Sequence, residues 1–162
     1  MRLSALGTFT PLDATAAVLS FSANGVPGRA ALIGIASAAG ICPLLKGGKE
    51  PRSTDYLVLT AFRLQPDYSA APPPSPGTYY VGSLAIENGV VAFAATDATC
   101  HLVGTTKTAI TGSITFTAVG NRYAGSYDLT FDFGEHVTGT FDAPLCAGLD
   151  ALDPGTGTLT CQ

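Results

Sequence analysis

The regular alternation of apolar and polar residues in the C-terminal half constrains the fold more than any other feature of this sequence. Apolar side chains alternate with serine and threonine over residues 110–118, with aspartate and threonine over 127–133, and with threonine over 137–141. A period of two is the period of a β-strand, whose successive side chains point to opposite faces. The pattern predicts three half-buried strands with a threonine-rich outer surface, and it assigns Ile110 to the buried face.

Short turn sequences separate these segments. Asn88-Gly89 is typical of a type I′ hairpin turn, since both residues tolerate positive φ. It is predicted to join a strand at 78–87 to one at 90–99. Two further turns are predicted at Gly120-Asn121 and Gly134-Glu135, and they place strands at 110–119, 122–133 and 136–142.

The N-terminal half is also β-like, with strands predicted at 8–10, 14–22, 29–36 and 56–64 and a turn at Asn24-Gly25. The segment 56–64 is largely apolar on both faces, which predicts a central position in the sheet. Residues 37–45 have apolar side chains at helical spacing, and Pro43 limits that helix to one or two turns. A second short helix is predicted at 143–152.

These segments predict an all-β domain: an antiparallel β-sandwich or a partly closed barrel of about eight or nine strands, with one or two short helices and disulfide bonds. The 162 residues suffice for one domain with its own core, so residues 1–162 are taken as a single unit. The proline-rich segment 66–76 is predicted to be a loop within it, and 153–162 an irregular tail.

The four cysteines indicate the compartment. Their number is even, their spacing is wide, and none belongs to a C-x-x-C motif of the zinc or thioredoxin type. Two disulfides are expected, and these persist in oxidising compartments. Four buried thiols in a cytosolic protein are the alternative. Because successive antiparallel strands alternate between the two ends of a sheet, a count of the predicted strands favours the pairs Cys42–Cys146 and Cys100–Cys161 among the three possible pairings.

The composition excludes some classes of partner. The net charge is −4 and the eight Lys and Arg residues are scattered, so the chain lacks the basic surface of a nucleic-acid-binding protein. No apolar run reaches the ~20 residues of a membrane-spanning helix. The first residues do not resemble an export signal. The chain is therefore either cytosolic or a mature domain whose signal was removed, and the cysteines favour the second interpretation.

Candidate chemistry is sparse. Cys100-His101 resembles an activated thiol, and Glu135-His136 an acid–base pair, but a disulfide and a turn explain them more simply. A calcium site at Asp128, Asp132 or Asp142, completed by cross-strand partners, is disfavoured because regular strands supply few ligands. The motifs of serine hydrolases, zinc proteases and dinucleotide or phosphate sites are absent. We therefore expect no catalytic residues, no metal and no cofactor.

The threonine-rich face allows one binding hypothesis. Arrays of threonine on a sheet can bind a carbohydrate or an ordered surface when aromatic side chains accompany them. Tyr68, Tyr79 and Tyr80 are the main candidates, with Tyr123 as a fourth. The strand propensity of threonine accounts for the same array without any ligand.

Several segments carry a resemblance to a known group of proteins. They include Ile41-Cys42-Pro43-Leu44-Leu45, Leu57-Val58-Leu59-Thr60, Thr96-Asp97-Ala98-Thr99-Cys100, residues 112–117 and 123–131, and residues 136–141 followed by Cys146-Ala147-Gly148-Leu149. Together they resemble uncharacterised lipoproteins of myxobacteria and related soil bacteria, over most of the chain. The resemblance implies export, anchoring through a lipidated cysteine upstream of this domain, and a cell-surface or periplasmic location. It implies no activity.

The first functional hypothesis is therefore a non-enzymatic surface or periplasmic domain that binds a protein or glycan partner or takes part in assembly, with oligomers or filaments as a variant. A barrel with a small-ligand cavity of about 300 Å³ or more is the second. A hydrolase whose site has no recognisable motif is the third.

Overall fold

The computed structural model describes residues 2–3, 7–23, 26–63, 74–83, 86–132, 134–149 and 159–162. Its larger strands are β3 (Asp13–Ala23), β4 (Val26–Ala36), β6 (Asp55–Arg63), β7 (Gly77–Val81), β8 (Glu87–Ala95), β9 (Lys107–Ala118), β10 (Arg122–Phe131) and β11 (His136–Pro144). The short elements are β1 (Arg2–Leu3), β2 (Gly7–Thr8), helix α1 (Ile41–Lys46), β5 (Lys49–Glu50) and β12 (Thr160–Cys161). The fold is mostly β, as the sequence predicted.

The larger strands form one sheet in the order β11-β10-β9-β7-β8-β6-β4-β3. This sheet curls into a half-closed barrel, so of the two predicted architectures the barrel is the one observed. The end strands meet at a seam, where Ala16 pairs with Leu145 in parallel orientation. The amide of Cys146 donates a hydrogen bond of 2.7 Å to the carbonyl of Ala16 at the same point. The central position predicted for 56–64 is confirmed, because β6 lies between β4 and β8.

The concave side of the sheet is filled by side chains that form one continuous core. Its largest fully buried members are Tyr79, Phe9, Phe93, Phe131, Ile33, Leu57, Leu59, Ile114, Leu129, Val91 and Val137. Phe116 makes edge-to-face contacts with three other rings, those of Tyr79, Tyr123 and Phe141. Each fully buried aliphatic or phenylalanine side chain contributes about 1.5–3 kcal/mol. The rows of inward-facing residues therefore hold the curled sheet together.

The hairpin predicted at Asn88-Gly89 is wrong. Both residues lie inside β8, and β7 runs parallel to β8, with Tyr80 opposite Asn88 and Val81 opposite Gly89. The antiparallel neighbours are instead β7 with β9 and β8 with β6. Gly89 is buried beneath Ile114 and Val81, where a Cβ would be crowded. Close packing in the sheet thus explains why residue 89 is a glycine, which the turn propensity of Asn88-Gly89 had attributed to a hairpin.

The predicted orientation of Ile110 is also wrong, since its side chain is 55% exposed. The register of β9 against β10 shifts here: Thr130 pairs with Thr111, but Phe131 pairs with Ala109. The extra residue forms a β-bulge, which reverses the alternation on one side of it. Ala109 consequently faces the core and Ile110 faces outward, while Ile114 and Phe116 point inward as predicted.

Helix α1 covers the outer side of β3, and a disulfide holds it there. The Asp13 carboxylate accepts a hydrogen bond of 2.9 Å from the amide of Ile41 at the helix N-terminus. Cys42 is bonded to Cys146, and the bridge packs with Leu19 and Leu45 in a small second cluster. Most of the range predicted for a second helix is not helical: β11 continues to Pro144 and a turn follows. Leu149 has 3₁₀ conformation, and residues 150–152 lie outside the described part of the chain.

The second disulfide, Cys100–Cys161, attaches the C-terminal strand to the loop after β8. Strand β12 pairs in parallel with β5, so the end of the predicted irregular tail is ordered by pairing. Both disulfides are the pairs that the strand count favoured. Each contributes about 2–4 kcal/mol, chiefly by restricting the unfolded chain. Among the described residues, no helix has the length and apolar character needed to cross a membrane.

Candidate functional site

Two adjacent rows of polar side chains cross the outer face of β7, β9, β10 and β11. The strand register aligns Tyr80, Ser113, Asp128 and Thr138 in the first row, and Thr78, Thr115, Ser126 and Thr140 in the second. We call these eight residues the hydroxyl platform. Neighbouring strands are about 4.8 Å apart, so a row of four residues spans about 14 Å.

Strand alternation turns the platform outward. The residues between platform positions, such as Tyr79, Ile114 and Tyr127, are buried in the core. Along each strand, each buried side chain thus fixes the opposite orientation of its neighbours. The ring of Tyr80 is half exposed at one end of the platform, and Asp128 is exposed near the centre of its row.

The platform contains a shallow depression of about 390 Å³. Its polar lining consists of Ser113, Ser126, Asp128, Thr138 and Thr140, and it is completed by Tyr127 and Gly139. A Cβ on residue 139 would overlap the hydroxyl and ring of Tyr127, because that ring lies across the glycine on the inner side of the sheet. Burial raises the pKa of the Tyr127 phenol, which therefore stays neutral at physiological pH.

A hydrogen bond between His136 and Asp128, at the edge of the depression, positions its one carboxylate. The Nε2 atom of His136 lies 2.6 Å from Oδ1 of Asp128, diagonally across β10 and β11. Both side chains are more than half exposed, at 58% and 64%, so the pair contributes little to stability. The other carboxylate oxygen of Asp128, Oδ2, makes no hydrogen bond to the described residues. The Asp128 side chain is 64% exposed, so this oxygen can accept a hydrogen bond from a ligand.

An ion pair, Arg122 with Asp142, lies on the same outer face beyond the second row. The guanidinium donates from both Nε and a terminal nitrogen to the two carboxylate oxygens. This hydrogen bonding and the positive charge hold the pKa of Asp142 below its usual range. Both groups are exposed, so the pair is a solvated surface feature.

The three tyrosines proposed as binding residues have different locations. Tyr80 belongs to the platform, with 49% of its surface exposed. Tyr79 does not face solvent: it is 1% exposed, packs edge-to-face on Phe116 and exchanges hydrogen bonds with the backbone of Ser75. Tyr68 lies outside the described residues. Tyr123, the further candidate, is buried in the core.

The loop around Cys100-His101 has a structural role. Cys100 is in the disulfide, at a positive φ of 62°. The Asp97 carboxylate accepts hydrogen bonds from the amide and hydroxyl of Thr99 and from the amide of His101. These bonds lower the pKa of Asp97. They close the turn that places Cys100 opposite Cys161.

The carboxylates considered for calcium do not converge. Asp128 pairs with His136 and Asp142 with Arg122. Within the described parts of the chain, no group of three or more His, Cys, Asp or Glu side chains is arranged to hold a metal ion.

A second outer surface differs sharply from the platform. The residues Leu32, Val58, Thr60, Phe62, Val90 and Ala92 point outward from β4, β6 and β8. We call this set the apolar outer face. Val90 is 47% exposed and the others except Thr60 are half-buried apolar side chains. No described member of the set is charged.

Sequence reasoning identified the hydroxyl-bearing strands but not the position of Tyr80 among them. The incorrect hairpin placed 78–87 beside 90–99, whereas β7 lies beside β9 and aligns Tyr80 with Ser113. The Asp128–His136 pair was predictable, because the turn at Gly134-Glu135 sets the register of β10 against β11.

No known protein family, curated protein or solved structure matches this chain. Function is therefore inferred from the geometry of the platform and from its chemistry.

Proposed function

We propose that this domain is a non-enzymatic, extracytoplasmic binding domain that presents the hydroxyl platform to a partner at the cell surface. One observation carries the proposal: the register places an exposed aromatic ring, three hydroxyl-rich strands and a free carboxylate oxygen on one continuous outer surface. Side chains on strands hold their positions better than side chains on loops. Such a surface needs little ordering on binding.

The disulfides support the extracytoplasmic part of the proposal. All four cysteines are paired, and the two bridges join segments 104 and 61 residues apart. Such bonds are compatible with an oxidising compartment. A lipid anchor on an upstream cysteine, as in the myxobacterial lipoproteins that the sequence resembles, would hold the platform at the membrane surface. That anchor is part of the proposal and rests on the resemblance.

The environment of the polar groups favours binding over hydrolysis. The pairs Asp128–His136 and Arg122–Asp142 lie on an open, exposed surface. The reacting groups of an acid–base enzyme usually converge in a concave pocket.

The filled barrel interior favours an outer surface over an internal ligand cavity. Aromatic and branched side chains occupy the interior. The depression of the platform is on the outside, and a smaller one of about 200 Å³ lies at the seam beside Val18 and Leu145. Of the alternatives, internal binding of a small ligand therefore has less support.

A second candidate function, assembly into a surface oligomer, is favoured by the apolar outer face. Apolar surface of this kind is stabilised when a second copy covers it. Sedimentation velocity over a range of concentrations tests this candidate. A concentration-dependent dimer that Val90→Lys abolishes supports it, and a monomer at every concentration contradicts it.

Two measurements test the main proposal. After export to the periplasm, alkylation under denaturing conditions should add no mass without reductant and four labels with it; four labels without reductant contradict an oxidised domain. Fluorescently labelled domain should then bind saturably to isolated myxobacterial cell envelopes. The double variant Thr138→Lys/Thr140→Lys should lose this binding, while Val90→Lys, which adds a lysine to the apolar outer face, should retain it. Equal binding by both variants contradicts a role for the platform.

A further inference from the structure

The functional groups of the platform are those that recognise sugar hydroxyls. Ser113, Ser126, Thr138 and Thr140 each offer a hydroxyl that both donates and accepts a hydrogen bond. The free Oδ2 of Asp128 accepts only, and a charged acceptor forms the stronger bonds. A ligand that fits this set carries many hydroxyl groups along its length.

Tyr80 supplies the apolar part of such a site. Its ring is 49% exposed, and the register places it directly opposite Ser113 at the start of the first row. An exposed aromatic face packs against the apolar C–H face of a pyranose ring, while the hydroxyls at the ring edge stay free to make hydrogen bonds. One sugar on Tyr80 would therefore have its edge directed towards Ser113 and Asp128.

The spacing of the strands fits a chain of sugars. A pyranose ring is about as long as the spacing between neighbouring strands, about 4.8 Å. A glycan that crosses the strands along the first row would place successive units near β7, β9, β10 and β11. The depression begins at Ser113 and ends at the Thr138–Thr140 strand, so it extends the site away from Tyr80.

Charge selects among glycans. The chain has a net charge of −4, and the central acceptor of the row is the Asp128 carboxylate. The guanidinium of Arg122, beside the platform, is paired with the carboxylate of Asp142. Uronic acids, sulfated sugars and phosphate-bearing sugars would be repelled at this position.

From these observations, and resting on the proposed binding function, we propose that the ligand of the hydroxyl platform is an uncharged glycan. Tyr80 stacks on one pyranose ring, and Asp128 with Ser113, Ser126 and Thr138 binds the hydroxyls of that ring and the next. His136 positions the Asp128 carboxylate through its hydrogen bond and does not itself contact the sugar.

The test is a titration of ¹⁵N-labelled domain with cellohexaose, chitohexaose and maltohexaose, three uncharged hexasaccharides. At least one should shift the amide signals of Tyr80, Ser113 and Asp128 in a saturable way. Tyr80→Ala should weaken that binding about tenfold, equivalent to ~1.4 kcal/mol, while Tyr80→Phe should retain it. Asp128→Asn should also weaken it, and Val90→Ala on the apolar outer face should leave it unchanged.

Two results overturn the inference: no shifts from any of the three at about 10 mM, which corresponds to binding too weak to be specific, or shifts that Tyr80→Ala leaves undiminished. Each variant's amide spectrum shows directly whether it is folded. If envelope binding is still lost in the Thr138→Lys/Thr140→Lys variant while no hexasaccharide binds, the platform binds a different partner: the glycan inference fails and the proposed function stands.

Discussion

The outer surface of this barrel is divided between two faces that share one core. The hydroxyl platform covers β7 and β9–β11 with serine, threonine and aspartate, whereas the apolar outer face of β4, β6 and β8 carries valine, leucine and phenylalanine. Beneath both faces, inward side chains are equally buried: Leu129 under the platform and Leu59 under the apolar outer face are both fully inaccessible.

The difference shows that core formation and surface chemistry are set independently in this fold. On β10 and β11, alternation places polar side chains in solvent and apolar side chains in the core. Strand β6 also carries apolar residues on its outer side, Val58 and Phe62, and these expose apolar area to solvent. The platform is the part of the surface where polar side chains are placed in register across four strands, and binding is therefore proposed there.

The largest expected loss of stability follows truncation of a core leucine, and it should be the same under both faces. Leu59→Ala and Leu129→Ala should each destabilise the domain by about 2–5 kcal/mol, because each leaves a cavity in the shared core. Urea denaturation measures both values. A loss at one site several times larger than at the other would show that the two halves of the barrel do not share one cooperative core.

Two glycines sharpen the comparison. Gly139→Ala, under the platform, should cost about 1–3 kcal/mol, because the new methyl group overlaps the buried ring of Tyr127. Gly34→Ala, on the outer side of β4, should be neutral or slightly stabilising. Its Cβ would meet only the Thr15 methyl group, at 3.8 Å. Thermal unfolding of the two variants compares them directly, and equal losses would contradict the packing described for Tyr127.

A lysine on each face should give a smaller contrast. Val58→Lys puts a charge on the half-buried apolar outer face and should cost about 1–3 kcal/mol. Thr140→Lys adds the same charge to an exposed platform position and should change stability by about 0.5 kcal/mol or less. If chemical denaturation gives both variants the same stability, the apolar outer face is less buried than its residues indicate.

The smallest effect concerns pH, where the two sides have opposite signs. On the polar side, Arg122 lowers the pKa of Asp142. The ionised Asp142 therefore stabilises the folded state at pH values above its unfolded pKa of about 3.9, and this stabilisation is lost as pH falls through the lower pKa of the folded state. Burial raises the pKa of Asp55, at the start of β6, so protonation of Asp55 stabilises the folded state as pH falls through its raised value.

Asp142→Asn should therefore reduce the stability that the domain loses in acid. Asp55→Asn should increase stability near neutral pH, because it removes a partly buried charge. It should also remove the stabilisation that protonation of Asp55 gives as pH falls. Urea titrations at several pH values between about 2 and 7 measure both slopes. If the two substitutions change the pH dependence of stability in the same direction, the environments assigned to Asp142 and Asp55 are contradicted.

The sequence predicted the strands of the second half well because period-two alternation is a local property. Tyr127, Leu129 and Phe131 are buried, as the alternation on β10 required. The prediction failed at Asn88-Gly89, where the turn propensity of two residues was outweighed by the packing of Gly89 under Ile114. It failed again at Ile110, because a bulge adds a residue that no local pattern reveals.

The candidate site divides in the same way. The hydroxyl residues of β9–β11 and the exposed Asp128 follow from alternation alone. Tyr80 could not be assigned to them, because the order of β7 and β9 in the sheet depends on contacts between residues 31 to 39 positions apart in sequence. For the same reason, the burial of Tyr79 beside Phe116 was not predicted from the local sequence.

By itself, the sequence determined that this chain is an all-β domain, that its C-terminal strands have an inner and an outer side, and which cysteine pairs an antiparallel arrangement favours. These properties depend on residue type and on near neighbours along the chain. Only the tertiary structure decided that the sheet curls into a half-closed barrel, that β7 lies beside β9, and that Tyr80 joins the hydroxyl rows. Strand order and register are fixed by packing between segments distant in sequence, and that packing is a property of the whole core.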